Sequence, residues 1–263
     1  MATYTNTFCE AGENHKGMQQ IGEKATDGFT LDELQGAKAW FDQRNISTEL
    51  IHLNELLSGE LRLHSTPAHL LVARNGLSVF SDDPTFVNSF MEEQTALEKD
   101  KKAFMYGAVK NKKARHNLCF GPTRQAPDYE KKKGTIVAFK DVPLLSSLRD
   151  KLPEMLGEKA RNLYAEGNYY YDIVKECYIG FHGDTERLRV VGVRMGATLP
   201  LHYHWWHESK PVGDLLSIDL NGGDIYVMSE KAVGTDWKEQ KIYTLRHAAG
   251  RIDVMRKKKA WYE

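Results

Sequence analysis

The stretch GFHGDTERLRVVGVRMG, residues 180–196, sets a histidine and an aspartate two positions apart, just ahead of a valine-rich run. Side chains alternate along a strand, so His182 and Asp184 point to one side, which suits two ligands of a single ion. An HxD pair alone is a weak signal, because it serves equally well as a polar turn between strands. The run that follows, RVVGVRMG (189–196), reads as a strand. Similar short runs surround it, broken by glycine and proline: GTIVAF (134–139), LLSIDL (215–220), GDIYVMS (223–229) and IYTLRHAAG (242–250). Many short strands with regular turn signals predict a β-sandwich or barrel, and a jelly-roll with flanking helices fits best.

Upstream the character differs. FTLDELQGAKAWFDQRN (29–45) predicts a helix, with Thr30 and Glu33 as a capping box and Leu34, Ala37 and Phe41 at helical spacing. TELIHL (48–53) and HLLVARNG (69–76) predict strands, and TFVNSFMEEQTALEKD (85–100) a second helix. The chain therefore divides into an N-terminal α/β unit over 1–100, of no evident role, and a β-rich domain over 101–263, an α+β protein as a whole. AGENHKGMQQIG (11–22) reads as a polar loop, with no role for Glu13, Asn14 or His15.

Composition narrows the function classes. Lys+Arg and Asp+Glu both number 36, so no global field steers the chain toward a polyanion. Basic clusters at 110–116, 130–134 and 256–261 can still act locally or simply solvate the surface. The three cysteines, Cys9, Cys119 and Cys177, form no CxxC pair, which argues against a disulfide framework or thiolate zinc site and for a reducing compartment, cytoplasmic or nuclear. No window approaches the length of a membrane span, so no membrane partner is expected.

Beyond the HxD pair, the GDIYVMS strand leads to RHAAG (246–250) and then to Arg251 and Arg256. Upstream, YGAVKNKKARHNLCFG (106–121), the helix VPLLSSLRDKLPEML (142–156) and EGNYYYDI (166–173) follow in order. Over 104–263 the chain resembles the AlkB-like branch of the Fe(II)/2-oxoglutarate dioxygenases. The resemblance implies a jelly-roll catalytic domain in which His182, Asp184 and His247 form a facial triad for Fe(II), leaving positions open for 2-oxoglutarate and O2. A second register sets Asp236 in the third-ligand position in place of His247. HYHWWH (202–207) has the look of a metal cluster but falls on a middle strand or its hairpin.

The co-substrate's distal carboxylate calls for a guanidinium, since two parallel charge-assisted hydrogen bonds match it. The resemblance assigns this to Arg256 first and Arg251 second, although their spacing of five departs from the family's six. Asn168 and Tyr170 are further donors to the co-substrate, and Arg246 belongs to the surface or outer shell. For substrate, the resemblance implies a methylated base in DNA or RNA. Arg115 and His116, with Lys112 and Lys113, fall where the family builds its substrate lid, and Glu186 and Arg187 near the site mouth. Phe120, Tyr129, Trp205 and Trp206 are candidate stacking faces. A small-molecule or protein hydroxylase of the same fold, and a non-catalytic jelly-roll binding module, remain alternatives.

Overall fold

The computed structural model describes residues 1–258, so the end of the 256–261 basic cluster lies outside the described residues. Strands run in chain order as β1 (Thr3–Cys9), β2 (Ala11–Glu13), β3 (Gln20–Gly22), β4 (Thr48–His52), β5 (His69–Ala73), β6 (Lys102–Met105), β7 (Ala108–Asn111) and β8 (His116–Gly121). They continue as β9 (Ile136–Ala138), β10 (Tyr164–Tyr170), β11 (Ile179–His182), β12 (Val190–Gly196), β13 (Leu199–His207), β14 (Lys210–Leu220), β15 (Ile225–Met228) and β16 (Thr244–Ala249). The helices are α1 (Leu31–Asp42), α2 (Gly59–Leu63), α3 (Phe86–Ala96), α4 (Pro143–Lys151), α5 (Pro153–Leu156), α6 (Glu230–Val233) and α7 (Ile252–Lys257).

An eight-stranded mixed sheet, β4-β5-β15-β12-β1-β10-β8-β9, packs against a four-stranded antiparallel sheet, β11-β16-β13-β14. Alternation along the strands builds the layers. On β1, Tyr4 and Phe8 join a core shared with α1, α3 and α4, whereas Thr5 and Thr7 turn inward to a cavity between the sheets. On β12, Val191, Val193 and Met195 face the helices and Arg194 faces the cavity. A second core, including Leu70, Val72, Leu201, Trp205 and Leu245, fills the rest of the space between the sheets.

Helix α1 forms as its sequence predicts: Thr30 Oγ1 accepts from the Glu33 N–H (3.2 Å), Glu33 Oε2 accepts from the Thr30 N–H (2.8 Å), and Leu34, Ala37 and Phe41 are buried. The helix expected over 142–156 is two, because Pro153 begins a separate turn. Hydrogen bonding crosses the boundary drawn near residue 100: β1, β4 and β5 lie in the same sheet as β8 to β15, with β1 antiparallel to both β12 and β10. The expected loop at 11–22 is the β2–β3 hairpin. The resemblance sets Arg251 and Arg256 on a closing strand, but residues 252–257 form α7 instead. No helix among the described residues is long and apolar enough to cross a membrane.

Candidate metal centre

Strands β11 and β16 pair so that His182 stands directly opposite His247, which brings the two imidazoles together with ring centroids 4.4 Å apart. Asp184 follows in the loop after β11, with its Oδ1 3.5 Å from His182 Nε2 and 4.0 Å from His247 Nε2. Two donors each ~2.1 Å from one ion lie roughly 3.0–3.4 Å apart at octahedral or tetrahedral angles, so small side-chain shifts close this set onto a metal. All three donor atoms lie within 4.8 Å of one another, the one such group of three found among the described residues. His182 Nδ1 lies 2.8 Å from the Gly180 carbonyl, which accepts a hydrogen bond from the Nδ1–H and leaves the Nε2 lone pair facing the other two donors.

Gly183 between two ligands is a steric requirement. A Cβ built there would stand 1.9 Å from the Gly234 carbonyl oxygen and 2.9 Å from Trp237 Cβ. Gly234 itself sits at φ +73°, ending α6 in the left-handed conformation, and the Val233 carbonyl accepts from the Asp184 N–H at 3.1 Å. The loop 234–237 is therefore packed onto the HxD backbone. Gly183→Ala is expected to displace that loop, costing about 1–3 kcal/mol as an overpacking change and weakening metal binding. Urea denaturation and Co(II) titration would measure both, and an unaltered midpoint with unaltered Co(II) affinity would contradict the packing argued here.

Burial holds His182 below the ordinary histidine value, and burial with His182 alongside holds His247 well below it. Both rings are thus neutral near pH 7, the form a metal requires. Behind Asp184 lies the buried guanidinium of Arg187, whose Nε is 3.4 Å from Asp184 Oδ2 and 2.9 Å from Glu186 Oε1. Its terminal nitrogens reach Glu166 and, at 3.1 Å, the Cys9 sulfur. Arg187 thereby occupies one carboxylate oxygen of Asp184 while the other faces the histidines. Burial pushes the Glu166 carboxyl up to about 7 against the opposing pull of Arg187.

The cavity in front of the triad has a volume of about 230 Å³. Its walls include Asn168, Tyr170, Arg115, Glu186 and Arg187 from the sequence expectations. Arg115 Nε donates to Asn168 Oδ1 at 2.9 Å. Other expectations are corrected. His116 does not line the cavity and stacks on Tyr171, 4.7 Å between centroids. Arg251 and Arg256 are exposed on the far side of β16's end, at α7, with Arg251 Nε 3.1 Å from Asp253; helix in place of strand carries both away. Asp236 faces Lys231 at 2.5 Å rather than the triad. In HYHWWH, His202 and His204 reach the Gly250 and Gly213 carbonyls (2.7 and 3.2 Å), on the opposite side of β13 from Tyr203. Phe120 and Trp205 are core residues, Trp206 is buried, and the Tyr129 hydroxyl donates to Asp100 at 2.8 Å.

Three further groups line the cavity that no sequence motif marks as site residues. The β2–β3 turn brings Glu13, Asn14, His15 and Lys16 to the cavity, a placement with no local signal. Trp237 comes from the loop after α6. Arg194 on β12 is fully buried, donates to Thr5 Oγ1 at 2.6 Å, and leaves its Nε without a partner. An arginine inside a valine-rich strand was the available sign.

No family model matches the chain. A protein of Acanthamoeba polyphaga mimivirus, described as uncharacterized protein R156, is 50% identical over 248 residues, spanning 94% of this chain and 95% of its own length. The chain belongs to the same family as R156. With so little of either chain outside the match, the R156 family takes in both sheets and the cavity between them.

Proposed function

We propose that the chain is an Fe(II)- and 2-oxoglutarate-dependent dioxygenase that hydroxylates a C–H bond on a methylated nucleobase of DNA or RNA, which releases the methyl group as formaldehyde where that carbon is bound to nitrogen. The observation that carries the proposal is the convergence of His182, Asp184 and His247, from β11, its following loop and β16, on a cavity between two sheets. Two neutral imidazoles and one carboxylate on one side of an open cavity suit ferrous iron and leave room for further ligands. When bound, iron with 2-oxoglutarate and O2 would supply the oxidation, converting the co-substrate to succinate and carbon dioxide and adding one oxygen atom to the substrate carbon.

The chain's own residues hold and orient. Arg194 takes the co-substrate role that the resemblance gives to Arg256 first and Arg251 second. It is completely buried, and no carboxylate lies within ion-pair distance of it among the described residues. A lone buried guanidinium is costly, and a ligand carboxylate beside its unpartnered Nε would offset that cost through charge-assisted hydrogen bonds. Tyr170 and Tyr226 line the same region and offer hydroxyl groups. In this reading the two packed sheets are a jelly-roll closed by the N-terminal β1, which is seated between β12 and β10. This explains why α7 carries no anchoring arginine.

Anaerobic addition of Fe(II) and 2-oxoglutarate is expected to give a weak visible charge-transfer band. Arg194→Lys should raise the 2-oxoglutarate concentration needed for that band roughly tenfold, since an ammonium cannot make the bidentate pair, whereas Arg256→Lys should leave it unchanged. No band from folded protein would favour a non-catalytic binding module. Succinate formation compared across methylated oligonucleotides, free metabolites and peptides distinguishes the substrate classes.

A further inference from the structure

Trp237 stands at the mouth of the cavity in an arrangement that none of the sequence motifs anticipates. Its Cβ lies against Gly183, between two members of the triad, and its backbone N–H donates to the Gly234 carbonyl at 3.0 Å, so the loop holds it in place. Arg246 fixes the ring from outside the cavity: its guanidinium lies 3.9 Å from the Trp206 ring centroid and 5.1 Å from that of Trp237. Lys16 and Lys238 also line the cavity, and their Nζ atoms lie 5.8 and 5.6 Å from the Trp237 ring centroid. Both lysines are exposed, and neither forms an ion pair among the described residues. The indole Nε1 has no hydrogen-bond partner.

The acidic groups facing this corner are engaged elsewhere. Glu186 binds Arg187, and Glu13 Oε2 accepts from the Gly17 N–H at 3.2 Å. What remains is a half-buried indole with an unused donor, flanked by two unpaired cations, beside the triad. Indole faces favour flat heteroaromatic rings, and ammonium groups at solvent-exposed positions favour phosphate. In a chain of zero net charge, such a local pair is not explained by a general basic surface.

We propose that Trp237 is the platform on which the heteroaromatic ring of a nucleotide stacks, with Lys16 and Lys238 holding its phosphate. The assignment rests on the dioxygenase reading only for which edge of the ring faces the triad; stacking and phosphate contact stand without a metal. Calorimetric titration with adenosine and cytidine 5′-monophosphates, each compared with its nucleoside and with inorganic phosphate, tests it. The unaltered protein is expected to bind at least one monophosphate more tightly than inorganic phosphate. Trp237→Ala should weaken that binding about tenfold, and Trp237→Phe, which keeps a ring, by no more than about threefold. The double substitution Lys16→Ala/Lys238→Ala should weaken the monophosphate about tenfold and leave the nucleoside unchanged. Should Trp237→Ala not fold, Trp237→Phe and the lysine pair carry the comparison. Absence of monophosphate binding, or equal affinity in all variants, would overturn the platform. Co(II) absorption at the triad, followed in the same samples, reports the metal site independently: Co(II) binding without nucleotide binding sinks only the platform, and the converse only the dioxygenase reading.

Discussion

Asp184→Ala is expected to abolish turnover and to reduce Co(II) affinity by more than roughly 100-fold, since even the outer partners of a metal ligand are worth roughly 10–100-fold. The carboxylate is the single anionic donor in the set, and Oδ1 faces both histidine Nε2 atoms at 3.5 and 4.0 Å. Without it, two neutral imidazoles remain, held together by the β11–β16 register. The fold should survive, because Arg187 keeps Glu166 and Glu186 as partners after Asp184 is gone. Absorption of the Co(II) protein and its thermal midpoint would therefore separate: loss of the d–d bands with a midpoint moved by only a few degrees. Undiminished Co(II) affinity in Asp184→Ala would remove the triad as a metal site, and with it the basis for iron chemistry here.

The proposed ligands are legible in the sequence only in part: the HxD spacing pairs His182 with Asp184, although Asp184 lies in the loop after β11, and the resemblance supplies His247. His182 and Asp184 are two apart, and His247 sits in an alternating strand whose neighbours read plainly as β structure. The cation proposed to hold the co-substrate is harder to read. Arg194 was hidden in RVVGVRMG, where one inward position among valines carries a charge that only three-dimensional placement explains. The resemblance favours Arg256 by setting a strand at 251–256, where Arg251 instead precedes a short helix with Asp253 in its first turn. The N-terminal strand TYTNTFC is hard to read although its threonines and aromatics alternate with period two. Its inward face is polar because it lines the cavity, so the usual apolar-in, polar-out contrast is lost. Lys16 and Trp237 lie 221 residues apart (237 − 16) and meet only through the packing of two turns, so no local pattern links them.

The second large effect belongs to Arg187→Ala in the metal-free protein, expected to cost about 3–5 kcal/mol near pH 8, the usual penalty for removing one partner of a buried ion pair. Glu166 is buried, and Arg187 is the cation that opposes its desolvation. Even with Arg187 present its carboxyl titrates at about 7, above the usual carboxylate range; removing the guanidinium moves it further up. A folded-state value above the unfolded one means that the unfolded chain releases this proton first as pH rises. The associated stability is complete below the ordinary carboxylate value of about 4.3 and is lost as pH climbs through the folded value. The deficit of Arg187→Ala should accordingly be smaller near pH 5 than at pH 8. Adding Glu166→Gln should remove most of the pH dependence, because the amide keeps the shape and discards the charge. Urea denaturation of the two variants at both pH values measures this, and a deficit equal at pH 5 and pH 8 would mean that the cost of losing Arg187 arises from packing against Cys9 and its neighbours and not from an uncompensated carboxylate.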